Sequence, residues 1–198
     1  MHPAVCPLLS LTLPALGAAA IASARPMEPR FRVLVLHEEG GHHSAYSQRA
    51  RLWLDQLAAT HDFAIDYLQN TDSLDAALLR RYALFIQLDY PPYGWSAQAV
   101  AAFEEYIEQG RGGWIGFHHA SLLGEFDGYP MWQWFSEFLG DITYANYIAT
   151  FAQATVQVED SGHPVMQGVP ASFRIEKEEW YTYNRSPRPN VQIGRAHV

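Results

Sequence analysis

Two short segments hold most of the side chains able to do chemistry. GFHHAS (Gly116 to Ser121) sets His118 and His119 side by side where an apolar run ends. HEEGGHHS (His37 to Ser44) places two carboxylates, then His42 and His43, after another such run. Imidazoles with carboxylates support three chemistries. They can hold a divalent metal such as zinc, with ligands drawn from separate loops. They can act as general acid and base, because imidazole titrates near neutral pH. Or the histidines can be hydrogen-bonded caps at strand ends, as buried polar groups often are. His pairs at two strand ends weigh against capping alone. His43, His118 and His119 are the candidate metal ligands, although no H-E-x-x-H spacing signs them.

GFHHAS also has the strand, small residue and tight turn of a nucleophile elbow, which presents its central residue above a sheet. Histidine stands there, and Ser121 nearby has no assigned activating partner, so acyl-enzyme chemistry is disfavoured. Further along, RIEKEEWYTY places Glu176 and Glu178 on one face of an extended segment and Glu179 and Tyr181 on the other. A crevice carboxylate and a solvated charged edge are both open for these glutamates. SGHPVMQGVP sets His163 before a proline, which reads as a structural turn. The aromatics concentrate in YPPYGW and YPMWQWFSEF. Flat rings either stack on sugar faces or fill a core. Trp132, Trp134, Phe135 and Phe138 have helical spacing and include core residues, whereas Tyr90, Tyr93 and Trp95 in a loop are the candidates for substrate contact.

The elements that must position these groups alternate strand and helix. FRVLVLH (Phe31 to His37), YALFIQLD (Tyr82 to Asp89) and GGWIGFHH (Gly112 to His119) are apolar runs fitting buried strands, and DFAIDYL alternates as another. Tyr46, Ala50, Trp53, Leu54 and Leu57 recur on one face of a helix. TDSLDAALLRR opens with a capping residue and reads as a short helix. Ser96 can cap a helix with Val100, Phe103 and Ile107 in one stripe, stopped by Gly110. An aromatic helix over Met131 to Leu139 follows, then a strand in FAQATVQVED and a shorter extended segment in FRIEKEEWYTY. The pattern predicts an α/β, flavodoxin-like doubly wound, mostly parallel sheet with right-handed connections. In the order 2-1-3-4, the first, third and fourth strands are neighbours, so their loops would share one rim at the carboxyl ends, where ligands bind.

The bulk composition is compatible with this. The chain has 198 residues, 48% hydrophobic and 17% charged, a one-domain globular profile. A net charge of −8 without a basic cluster excludes a nucleic-acid backbone as partner. Leu8 to Ala24 is apolar and ends in Ala-Ser-Ala, so residues 1–24 read as a signal peptide, although no Lys or Arg precedes it. The expectation is a periplasmic or secreted protein, or a cytoplasmic one if the start codon is miscalled. No membrane span is expected in the mature chain. Ile193 to Val198, IGRAHV, reads as the translation of a sequencing adapter, so residues 193–198 are expected to be an artefact and the natural chain to continue past Gln192. The single cysteine, Cys6, lies in the leader, which leaves no disulfide, thiolate ligand or cysteine nucleophile after it.

RVLVLHEEGGHHSAYSQRARLWLDQL, YIEQGRGGWIGFHHAS, HPVMQGVP and EEWYTY, in that order, resemble the ThuA-like, or trehalose-utilisation, family from about Arg32 to Gln192. The resemblance implies a class I glutamine amidotransferase-like fold, here lacking its last strand and helix. It implies carbohydrate catabolism, of a disaccharide or keto-glycoside. Its motif residues fall on His42 or His43, on His118, His119 and Ala120, on His163 and Pro164, and on Glu178, Glu179 and Tyr181. Glutaminase chemistry is excluded, because histidine occupies the elbow where those enzymes have cysteine. The expected catalytic residues are His118, His119 and Glu179, in acid–base chemistry with or without a divalent metal. The expected substrate contacts are His42, His43, Tyr90, Tyr93, Trp95 and Tyr181. A non-catalytic carbohydrate-binding or accessory domain is the alternative. The expected partner is a small-molecule carbohydrate, with a homo-oligomer left open.

Overall fold

The computed structural model describes residues 28–38, 43–125, 128–148 and 150–192, and the backbone of 195–197. The leader, His42 and the side chains of 193–198 lie outside the described residues. Strands β1 (Arg32–Leu36), β2 (Ala64–Leu68), β3 (Leu84–Gln87) and β4 (Gly113–Gly116) form a four-stranded parallel sheet in the order β2-β1-β3-β4. Helix α1 (Ser44–His61) connects β1 to β2, α2 (Ala76–Leu79) connects β2 to β3, and α3 (Ala97–Glu108) connects β3 to β4. The chain steps one way from β1 to β2 and the other way afterwards. Right-handed crossovers therefore send α1 to one face of the sheet and α2 and α3 to the other.

Side-chain alternation along the strands feeds both faces. Val33, Val35, Ile86 and Leu88 pack with Leu54 of α1, whereas Leu34, Leu36 and Phe85 pack with Phe103 and Tyr106 of α3. Such strands must be apolar on both sides, hence the unbroken runs in the sequence. The edge strand β4 departs from this, since Ile115, in register with Ile86, is 42% exposed on the face that α1 occupies.

Helix α3 begins where Ser96 accepts a hydrogen bond from the Ala99 N–H at 3.2 Å, and Gly110 follows it with φ +60°. Helix α1 is rotated from its expected phase. Ser47 and Leu54 are its buried residues, and Tyr46 and Trp53 stand 40% and 56% exposed. The physical reason is polar: the Ser47 hydroxyl donates to the buried Asp89 carboxylate, and that bond fixes which side of α1 faces inward. Helix α4 (Gln133–Phe138) lays its rings over α3, with Phe135 fully buried beside Phe103. The Trp132 and Trp134 indoles donate to Glu104 and Glu108 at 2.8 and 2.7 Å. Their apolar bodies are thereby buried without orphaning the N–H groups.

The remaining strands leave the parallel layer. β5 (Tyr144–Tyr147) pairs antiparallel with β8 (Tyr181–Tyr183), and β6 (Ala152–Val158) pairs antiparallel with β7 (Ser172–Glu178) and with the backbone of β9 (Arg195–His197). FRIEKEEWYTY is thus two strands in two sheets. The break falls at Glu179 and Trp180, where the Trp180 indole donates to the Ala152 carbonyl at 2.8 Å and the Trp180 carbonyl accepts from the Ile148 N–H at 3.0 Å. Among the described residues no helix is long and apolar enough to cross a membrane.

Candidate functional site

Three loops at the carboxyl ends of β1, β3 and β4 converge, with β8 closing one side. At the end of β4 the chain turns sharply: His118 has φ +47°, a left-handed conformation unusual for a residue with a side chain. Residues 118–121 then form a 3-10 turn. Tight packing helps to force the turn. A Cβ added at Gly116 would come within 2.3 Å of the Trp114 indole and 3.0 Å of the Ala120 Cβ. Ser121 is committed to holding the turn, since its hydroxyl donates to the His118 carbonyl at 3.0 Å and accepts from the Tyr183 hydroxyl at 2.7 Å. That leaves it poorly placed as a nucleophile.

The loop after β1 is anchored from β3. Asp89 is fully buried, and one of its oxygens accepts the Glu38 backbone N–H at 2.8 Å while the other accepts the Ser47 hydroxyl. This pins both ends of the segment that carries His43, the residue preceding α1. His37, at the same strand end, turns away from the histidine cluster; it is buried with its ring edge against Tyr67.

The imidazoles meet at their Nε2 atoms. His43 Nε2 lies 2.9 Å from His119 Nε2 and 3.3 Å from His118 Nε2. The rings of His118 and His119 stack at 4.4 Å, His43 stands edge-on to both, and Tyr181 stacks on the other side of His118 at 5.1 Å. Carboxylates flank the group. Glu38 Oε2 is 3.5 Å from His119 Nδ1, and Glu179 Oε2 is 3.8 Å from His118 Nε2. The Tyr181 hydroxyl lies 3.4 Å from the same His118 nitrogen.

Burial, with His119 and His43 adding to it, pushes the His118 pKa down to about 4. His43 is lowered too, first by burial and then by His119. Both imidazoles are therefore neutral near pH 7, able to accept a proton or to donate a lone pair to a metal. The Tyr181 phenol is raised, by burial and then by Glu179, so it keeps its proton and can donate it in a hydrogen bond.

The structure thus brings His43, His118, His119, Glu179 and Tyr181 together. Tyr90 packs partly against the core, with its phenol raised by burial and then by the nearby Glu38 charge. Tyr93 stacks on Tyr129 at 5.1 Å. Trp95, expected in the rim, lies in the core instead. Only 9% exposed, its ring is wedged among Phe85, Phe103 and Trp132, and its indole N–H donates to the Pro91 carbonyl at 2.9 Å. A loop indole that can satisfy its own N–H locally is free to bury its rings. His163 caps a short turn by accepting the Val165 N–H at 3.4 Å. Glu176 pairs with Arg174 at 2.9 Å, and Glu178 accepts the Glu179 N–H at 2.8 Å. Asp89, Ser47 and Glu38 are the positioning groups; Glu38 and Asp89 fall in the expected rim loops, whereas Ser47 stood out in no pattern. The available signal was a carboxylate closing the otherwise apolar run YALFIQLD.

A solved ThuA-like protein from Bacteroides uniformis ATCC 8492 is 27% identical, with a TM-score of 0.77 over 89% of this chain and 71% of that one. A solved ThuA-like protein from Parabacteroides merdae ATCC 43184 is 17% identical, with a TM-score of 0.54 over 83% of this chain and 72% of that one, a likeness of fold. No curated protein matches. The family model described as ThuA, trehalose utilisation, matches residues 32–195, spanning β1 to β8 and every residue of the imidazole cluster, and the chain belongs to that family.

Proposed function

We propose that this chain is an enzyme of carbohydrate catabolism that acts on a disaccharide or keto-glycoside by His/Glu acid–base chemistry. The observation that carries the reading is the meeting of Glu179 and Tyr181 with His118, a neutral imidazole in a half-buried rim. A neutral imidazole nitrogen 3.8 Å from a carboxylate and 3.4 Å from a protonated phenol gathers a base and an acid at one point. A keto-sugar carries an acidic C–H beside its carbonyl. Glu179 or His118 takes that proton, the C–H electron pair becomes the C=C bond of an enediolate, and the carbonyl oxygen takes up the negative charge. Transfer of the α-hydroxyl proton to that oxygen, with return of the abstracted proton to the former carbonyl carbon, gives an isomer whose carbonyl has moved by one carbon. Loss of a glycosidic oxygen β to the original carbonyl, protonated as it leaves, gives elimination. A divalent metal on the imidazoles would stabilise the enediolate oxygen. The family's trehalose-utilisation description supports the substrate class.

The test is turnover of a keto-glycoside by the full chain against Glu179→Gln and the double variant His118→Ala/His119→Ala. Loss of turnover by 100-fold or more, on the order of general acid–base contributions, is expected in each. Unchanged turnover in the double variant overturns the reading, and saturable sugar binding without turnover assigns the chain to the non-catalytic class. The leader supports export, and the expected result is a periplasmic or secreted mature chain beginning after Ala24, read by N-terminal sequencing.

A further inference from the structure

From the convergence of His43, His118 and His119 we infer that this chain has a three-histidine site for a divalent first-row transition metal of the zinc class. Each Nε2 carries either one hydrogen or one lone pair. His43 Nε2, 2.9 and 3.3 Å from two other Nε2 atoms, cannot satisfy both neighbours with a single hydrogen or a single lone pair. Three inward nitrogens are an unstable arrangement for hydrogen bonding alone. They are a natural one when all three present lone pairs to a cation.

The geometry agrees. Ligand bonds of about 2.0–2.1 Å at a tetrahedral centre separate neighbouring nitrogens by about 3.3 Å. The candidate ligand atoms of the three histidines all lie within 4.8 Å of one another. One neighbour favours the required tautomer of His119. Glu38 Oε2 faces its Nδ1 at 3.5 Å, so a ring proton is better placed on Nδ1 than on Nε2, as in the outer-sphere carboxylate–imidazole arrangement of many zinc sites. Glu38 is itself held by the bond from its N–H to buried Asp89. Glu179 and Tyr181 approach from the β8 side, where they can meet a water or substrate oxygen in the remaining coordination position. Nitrogen donors select zinc, cobalt, nickel or copper over magnesium and calcium, which require oxygen.

This inference uses the site of the proposed function but not its substrate. The experiment is calorimetric titration of ZnCl2 into the chelator-stripped full chain, with Co2+ absorption as a second readout. One equivalent of zinc is expected, weakened at least 100-fold in His43→Ala, His118→Ala and His119→Ala and about 10- to 100-fold in Glu38→Gln. His163→Ala should bind zinc like the wild type, and Mg2+ should not compete. NMR of the histidine ring nitrogens needs no variant: zinc should shift the Nε2 signals of these three residues and leave His61 and His163 unmoved. Absence of stoichiometric binding, shifts confined to other histidines, or undiminished binding in the three alanine variants overturns the inference. Zinc bound without keto-glycoside turnover upholds this site and defeats the substrate reading; turnover by a chain that takes up no stoichiometric zinc does the reverse.

Discussion

Replacing His118 by glycine should leave a more stable protein than replacing it by alanine, the reverse of the usual order. Both changes delete the imidazole, so the lost contacts with His43, His119 and Tyr181 cancel in the comparison. What remains is the backbone. At φ +47° a Cβ is crowded against the following carbonyl, at about 1–2 kcal/mol for an L-residue, and glycine escapes that penalty. Glycine also has the freer unfolded chain, which offsets about 0.4–1 kcal/mol of the gain. The net advantage of glycine is about 0.5–1 kcal/mol, or roughly 1–4 °C in Tm for a chain of this size. Urea unfolding of the two variants in chelator, with Tm as a second measure, reads this directly. Ala59→Gly, at an exposed position within α1, serves as the control and should lose about 1 kcal/mol. If the alanine variant at 118 proves as stable as the glycine variant or more so, the strained elbow is refuted.

Two further outcomes follow from the same site. In metal-free protein, His118 titrates near 4 when folded and near 6.5 when unfolded, so between those values the unfolded chain binds more protons and stability falls as pH falls. The loss is absent above about 6.5 and complete below about 4, on the order of 3 kcal/mol. The difference in unfolding free energy between wild type and His118→Ala, measured at about pH 7.5 and about pH 4.5, should shrink or reverse at the lower pH. A difference that does not change with pH counts against a buried neutral imidazole. Separately, Asp89→Ala strands the Glu38 N–H and the Ser47 hydroxyl and should destabilise by about 3 kcal/mol in chemical denaturation, while a loss under 1 kcal/mol would mean that Asp89 does not anchor the loop.

The alternation of apolar runs with helical stripes already pointed to the parallel sheet and the rim at its carboxyl ends, and the flavodoxin-like order 2-1-3-4 taken for it is the order observed. A strand covered on both faces has to be apolar throughout, and the polar residues that follow it have nowhere to go but the rim. The fates of individual side chains were not local properties. Trp95 looked like a loop aromatic until the Pro91 carbonyl took its N–H and the core took its rings. The phase of α1 was ambiguous in its apolar pattern and was settled by one polar bond, Ser47 to Asp89, between residues far apart in the chain. Glu179 and Tyr181 share a face by simple alternation, but only the break at Trp180 and the pairing of β8 with β5 carry that face to His118. The sequence by itself determined which residues could do chemistry and which edge of the sheet would carry them. The tertiary structure alone decided that three imidazoles meet at their Nε2 atoms, because such distances depend on packing between elements and leave no periodic trace along the chain.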